Sequence, residues 1–273
     1  MIRQLGSLDG WESFIRDLSA DPSFSDPMLS TQEELELNLL RAFENPNKRV
    51  LGVLSAEEEK LGLFVFLSSA PDKNVEMLVG LSRSPAAYEE IAAYLRGAFP
   101  GWQVDFVFNP ANRPLRELLR RLGAFFDPEQ QTMVLTGETP SVDTAGIVPL
   151  SEAYLPQYLA MHNTDMFWTG EKVARTPQRF SVYLAVEDGV VAGYIDVTNC
   201  YDENEPCDLL VKEAYRRRGW GRKLLAKAIE ENRPRAMMLL VNTDNAGAIA
   251  LYSAMGFTTV PGRNSQTANW QIP

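Results

Sequence analysis

The chain has 273 residues, 45% of them hydrophobic, enough to bury a full core and to build one large domain or two of ordinary size. Its formal net charge of −10 argues against a nucleic-acid backbone as partner, because phosphate binding needs a positive surface. No apolar run is long enough to span a bilayer, and the N-terminus MIRQLGSLDG lacks a leader's apolar core, so the expectation is a soluble, cytoplasmic protein with no membrane partner.

In chain order, the first half predicts helices around Trp11–Leu18 and Glu33–Phe43, the second opened by Thr31 and Glu34 at capping-box spacing. Strands follow at 49–54, 61–67 and 75–81, then a helix at 86–98, a strand at 103–108, a helix at 113–122 and a strand near 131–135. The polar, turn-rich TGETPSVDTAG at 136–146 reads as a linker. The second half repeats the order. A helix near 151–161 and an irregular stretch at 163–178 lead to strands at 181–187, 191–199 and 207–212. A helix at 219–231, a strand at 236–241, a helix at 246–255 and a terminal strand near 267–272 complete it.

That repetition is visible in the residues themselves. FNPANRPLRELLRRLGAF at 108–125 parallels VNTDNAGAIALYSAMGF at 241–257, with Asn109, Asn112 and Gly123 spaced like Asn242, Asn245 and Gly256; NVEMLVGL at 74–81 parallels PCDLLVKE at 206–213. A period this long means two domains of one fold, each an α+β sheet with antiparallel hairpins leading into a strand–helix–strand unit. The expected boundaries are 1–137 for the first domain, 138–146 for the linker and 147–273 for the second.

Charge is uneven between the copies. Residues 1–140 carry 13 basic against 21 acidic side chains and residues 141–273 carry 13 against 15, with five of the latter basic groups between 216 and 223. Cys200 and Cys207 match neither zinc-ribbon nor CxxC spacing and read as ordinary thiols.

The chemistry concentrates in CDLLVKEAYRRRGWGRKLLAKAIEE at 207–231. A strand ending at Val211 runs into Arg216-x-x-Gly219-x-Gly221, which opens a helix. A helix start leaves backbone N–H groups unpaired and adds the positive end of the macrodipole, so it suits a phosphate. Gly219 and Gly221 let a pyrophosphate approach closely, and Arg216, Arg217, Arg218, Arg222 and Lys223 surround it with charge. A P-loop is excluded because Arg222-Lys223 follows Gly221 where Lys-Ser/Thr belongs, and a dinucleotide fingerprint is excluded because Leu224 stands where a small residue is needed.

Arg216-Arg217-Arg218-Gly219-Trp220-Gly221 resembles the (Gln/Arg)-x-x-Gly-x-(Gly/Ala) acetyl-CoA motif of the GCN5-related N-acetyltransferases (GNAT), with Ala214 where that family usually has Pro. Asn245-x-x-Ala248-Ile249-x-Leu251-Tyr252-x-x-x-Gly256-Phe257 resembles the family's second signature. The likeness covers about 145–273 and reaches the first half through the repeat.

The resemblance implies two tandem GNAT-like domains and acetyl transfer from coenzyme A to an amine, with no metal and no covalent acyl-enzyme. It places the pyrophosphate on the amides of Arg217 through Arg222, Trp220 included, and the pantetheine arm along Leu209, Leu210 and Val211, with Asn245 touching that arm. A backbone N–H near Val211 would polarise the carbonyl. Tyr252 would protonate the leaving thiolate, or serve only as core. Asp208 is the first candidate base, or a structural carboxylate, with Asp196 and Glu205 as alternatives. Phe167 and Trp168 would line the acceptor pocket, with Asp196 close by, or simply pack a loop on the sheet. His162, the one histidine, reads as a helix-surface or substrate-loop residue.

The first copy has Leu81-Ser82-Arg83-Ser84-Pro85-Ala86-Ala87 in place of the phosphate loop and Leu119 in place of Tyr252, which implies a degenerate domain serving as scaffold, pocket wall or interaction surface. The acceptor expected is an amine, as a small molecule or an exposed protein group, and the chain a monomer or homodimer. The competing expectations are a non-catalytic acyl-CoA sensor or protein-interaction module, and an acyltransferase using a longer acyl-CoA.

Overall fold

The computed structural model describes residues 1–19, 21, 27–29, 35–162, 164 and 168–273. They form two compact units, one of Met1–Gln131 with Pro261–Pro273, the other of Thr132–Val260. This division differs from a cut at the polar linker because the final strand is longer than its sequence pattern suggests. It starts at Phe257 and runs to Gln271, so that its last residues belong to the first unit.

The first unit contains strands β1 (Ile2–Gln4), β2 (Lys48–Leu54), β3 (Lys60–Ser69), β4 (Asn74–Leu81), β5 (Gln103–Phe108) and β6 (Phe125–Phe126), and helices α1 (Glu12–Ser19), α2 (Pro85–Ala98) and α3 (Arg113–Arg121). β1 to β4 pair antiparallel in sequence, and β4 pairs parallel with β5. Apolar residues fill both faces of these strands. Leu51, Phe64, Phe66, Met77 and Phe106 pack with Tyr88, Ile91 and Leu95 of α2 and with Leu115, Leu118 and Leu119 of α3. Val50, Leu63, Val65 and Val79 pack on the other face with Trp11, Leu18 and Leu39. The expected helix around 33–43 is a π-turn at Glu36–Leu40 followed by a 3-10 turn at Ala42–Glu44; Thr31 and Glu34 of its capping box lie outside the described residues.

The second unit contributes most of β7 (Gln130–Leu135), then β8 (Ile147–Pro149), β9 (Phe180–Glu187), β10 (Val190–Thr198), β11 (Glu203–Asn204), β12 (Pro206–Val211), β13 (Ala236–Asn242) and the start of β14 (Phe257–Gln271). Its helices are α4 (Leu155–Met161), α5 (Gly170–Ala174), α6 (Trp220–Asn232) and α7 (Ala246–Ala254). Helix α5 falls inside the stretch expected to be irregular. The sheet order β8–β9–β10–β12 is antiparallel throughout. Leu224, Leu225 and Ile229 of α6 cover one face with Ile195 and Val197, while Tyr158 of α4 and Val173 of α5 cover the other with Leu184 and Tyr194.

The C-terminal half of β14 pairs antiparallel with β5 from Gln266↔Phe108 to Gln271↔Gln103. It brings Ala268 and Trp270, and then Ile272, into the first unit's core. Trp270→Ala is therefore expected to destabilise that unit by about 3–5 kcal/mol, read as a lowered denaturant midpoint; an unmoved midpoint would show that the returning strand adds no core.

Candidate active site

Helix α6 begins without a cap. Its N-cap, Gly219, has no side chain to offer, and its carbonyl accepts from the Lys223 N–H at 3.1 Å. The amides of the first turn therefore lack intrahelical acceptors. Gly219 sits at φ +85 and Arg217 at φ +62, both left-handed, and a Cβ placed on Gly219 would meet nothing within 4 Å. Arg217, a non-glycine residue, is held in a strained region, a feature that gathers at ligand-binding turns.

The basic side chains of this loop divide in two. Arg218 pairs with Glu187 at 2.5 Å and Lys223 with Asp143 at 3.1 Å, so these two are drawn onto protein carboxylates. Arg216 donates through Nε to the Val211 carbonyl at 3.1 Å, which ties the loop to the end of β12. Arg217 and Arg222 are exposed, and among the described residues neither has a carboxylate partner. Trp220 packs its ring against Gly146, and Gly221 approaches Leu251 and Leu209 closely.

Beside the loop, two neighbouring strands part. β11 pairs parallel with β13 through Glu203 and Asn204, but from Pro206 onward the chain turns to β10, and β12 has no ladder with β13. Leu209, Leu210 and Val211 thus lie on a strand with one open edge. The Lys212 N–H donates to the Ala192 carbonyl of β10 at 2.9 Å, so by strand alternation the Val211 N–H faces that open edge.

Tyr252 and Asn245 come from α7 and its cap. The Asn245 side chain accepts from the Ala248 N–H at 3.1 Å, the capping bond of α7, and its amide is exposed. Tyr252 is half-buried against Phe257, and burial, with Asp208 and Glu205 nearby, pushes its phenol up to about 12. It therefore stays protonated across the neutral range, the form a proton donor needs.

On the α4 face of the sheet, Asp196 and Asp208 are directly opposed on β10 and β12. Asp196 is 1% exposed and accepts from the Tyr158 hydroxyl, 2.9 Å from Oδ2; His162 Nε2 lies 2.8 Å from the same Oδ2. Burial raises the Asp196 carboxyl, while the His162 and Tyr158 hydrogen bonds pull it back down. Asp208 is more open, with 21% of its side chain exposed, and accepts from the Tyr194 hydroxyl at 2.5 Å.

His162 is not a helix-surface residue. It is 7% exposed at the end of α4 and stacks on Tyr194 at 5.1 Å. Sequence reading missed it because the chain around it is locally polar; the signal lay in the two aspartates that strand register brings to it. Trp168 packs edge-on against Phe180 at 4.9 Å beneath the Arg179 guanidinium, and Phe167 lies outside the described residues. Cys200 and Cys207 are both free thiols, Cys207 raised by burial.

An uncapped helix start beside a split in a mostly antiparallel sheet leaves unpaired amides next to an open strand edge, a place suited to an anionic group. Residues 147–257 match the model of the Acetyltransferase (GNAT) family, and the chain carries a GNAT acyltransferase domain there. Among solved structures, a GCN5-related N-acetyltransferase from Sphaerobacter thermophilus is 13% identical, with 100% of this chain and 95% of that one covered and a TM-score of 0.66. A tandem GNAT protein from the clavulanic acid biosynthesis pathway is 15% identical over 100% and 98% at a TM-score of 0.55. A GNAT-family protein from Novosphingobium aromaticivorans is 20% identical over 91% and 98% at 0.51. At these identities the likeness is one of fold, and it extends over both halves of the chain, which are two tandem GNAT-like α+β domains. No curated protein sequence matches the chain.

Proposed function

We propose that the chain is a cytoplasmic N-acetyltransferase that moves an acetyl group from acetyl-CoA to an amine by direct attack. The observation that carries this reading is the uncapped start of α6, with Gly219 left-handed and open, next to the split between β12 and β13. The exposed Arg217 and Arg222 add charge for a pyrophosphate, and the Val211 N–H on the open edge suits a thioester carbonyl. Bound there, acetyl-CoA would supply an activated acyl carbon.

The remaining work falls to this chain's side chains. The acceptor arrives as an ammonium and loses one N–H proton to Asp208, which frees a lone pair. That pair forms the C–N bond while the C–S bond breaks; the Tyr252 hydroxyl gives its proton to the sulfur and recovers one from the nitrogen. Atoms balance as amide, free thiol and one proton left on Asp208. Alignment of the two reactants is the other large contribution.

The first domain does not offer the same anion site. Helix α2 is capped by its own Ser84 side chain, which accepts from the Ala87 N–H, and Pro85 at its first turn has no N–H to give. We read this domain, with a boundary near 137–147, as a degenerate copy that acts as scaffold. The acceptor we favour is a small amine. Calorimetric titration of acetyl-CoA followed by thiol release over a panel of primary amines tests the whole reading: binding with transfer supports it, binding without any transfer turns the protein into a sensor, and no binding removes it.

A further inference from the structure

Two carboxylates stand opposite each other on adjacent strands, Asp196 on β10 and Asp208 on β12, an arrangement that is unfavourable unless a proton or a cation lies between them. The described residues put one nitrogen there. His162 Nε2 is 2.8 Å from Asp196 Oδ2 and 3.9 Å from Asp208 Oδ2.

The imidazole is held in place from several sides. Tyr194 stacks on it with an interplanar angle of 15°, and Tyr158 meets it edge-on at 5.4 Å. Gly170, at the start of α5, comes so close that a Cβ there would sit 2.8 Å from His162 Cβ and 2.9 Å from Cγ. Any larger residue at 170 would displace the ring, so the slot is shaped around this histidine. The two tyrosines also serve the carboxylates, Tyr158 donating to Asp196 and Tyr194 to Asp208. The described titratable groups facing the imidazole are thus Tyr158 from α4, Tyr194 and Asp196 from β10, and Asp208 from β12.

We propose that His162 is a positioning residue for the acceptor's proton: with Asp196 behind it, it couples to Asp208, so that the proton leaving the ammonium enters a three-group unit and not a lone carboxylate. This rests on the acetyl-transfer reading above. Asp208 is the open end of the unit and touches the acceptor, whereas Asp196 and His162 are buried and act through it. In the transfer the N–H bond breaks, an O–H bond forms on Asp208, and the unit gains one proton, which it later yields to solvent. Groups coupled in this way titrate together.

Because the chain has a single histidine, its titration can be followed without assignment. The experiment is a pH titration of the imidazole by nitrogen-15 NMR in the full-length wild-type protein and in Asp208→Asn, with His162→Gln as the blank. Asp208→Asn removes one of the two negative charges facing Nε2, so the imidazole midpoint is expected to fall by about half a pH unit or more, roughly a threefold loss of proton affinity. An unchanged midpoint overturns the coupling and leaves His162 as core packing.

A second measurement uses acetyl-CoA and the primary-amine panel. His162→Gln is expected to leave acetyl-CoA affinity unchanged, to lower kcat, and to move the acidic limb of the pH–rate profile upward, because the cation that favours the ionised carboxylate is gone. A profile that coincides with the wild type counts against the proposal. A wild-type protein that binds no acetyl-CoA removes the transfer reading instead, and the NMR result then decides the coupling by itself.

Discussion

Gly219→Asp is expected to abolish acetyl-CoA binding, with affinity reduced at least about a hundredfold, which corresponds to about 3 kcal/mol. The site explains the size of the effect. Space around the Gly219 Cβ is open, and aspartate is among the side chains that tolerate the left-handed backbone found there at φ +85, so the fold should survive the change. The new carboxylate would lie at the first turn of α6, where it both competes for the unpaired amides and repels a pyrophosphate. Calorimetry with acetyl-CoA reads the outcome, and circular dichroism confirms folding. A folded variant that binds as the wild type does would mean that the start of α6 is not the phosphate site.

Tyr252→Phe is expected to lower kcat by about a hundredfold or more while leaving the acetyl-CoA affinity intact, the range that loss of a general acid produces. The side chain is half-buried on α7 beside Phe257, and the phenol is raised to about 12. Removing only the hydroxyl keeps that packing and takes away the proton. Among the described residues none hydrogen-bonds this hydroxyl, so its loss leaves no protein partner stranded. Thiol release at saturating acetyl-CoA separates turnover from binding. Unchanged turnover would assign Tyr252 to the core, the other role open to it.

Most of the element order is local in origin and could be read from the chain. The apolar spacing in α2 and α3, the strand runs of β2 to β5 and the Gly-rich start of α6 each depend on residues a few positions apart. The α6 loop is the clearest case, because a glycine in the left-handed region and an uncapped helix start need no distant partner. Strand β14 is the contrary case. Its end, near 267–272, is legible as a strand, but that the strand already begins at Phe257 and that its C-terminal part ladders with β5 depend on partners far away in the chain.

The candidate site cluster divides along the same line. Asp208 could be placed on the face opposite Leu209 and Val211 by strand alternation alone, and the structure has Leu209 and Val211 packed toward α6. That it stands opposite Asp196 depends on the β10–β12 register, and that register carries an irregularity at Asp196/Val197 that no local pattern announces. His162 depends on more still: the end of α4, the side-chain-free backbone of Gly170 and the ring of Tyr194 must meet before it is buried between two acids. By itself the sequence determined two repeated α+β domains and a glycine-opened, uncapped helix start, because turns, caps and periodicity are short-range properties. Only the tertiary structure decided which carboxylates face each other and which histidine lies between them, because strand register and helix docking are settled by packing between distant segments.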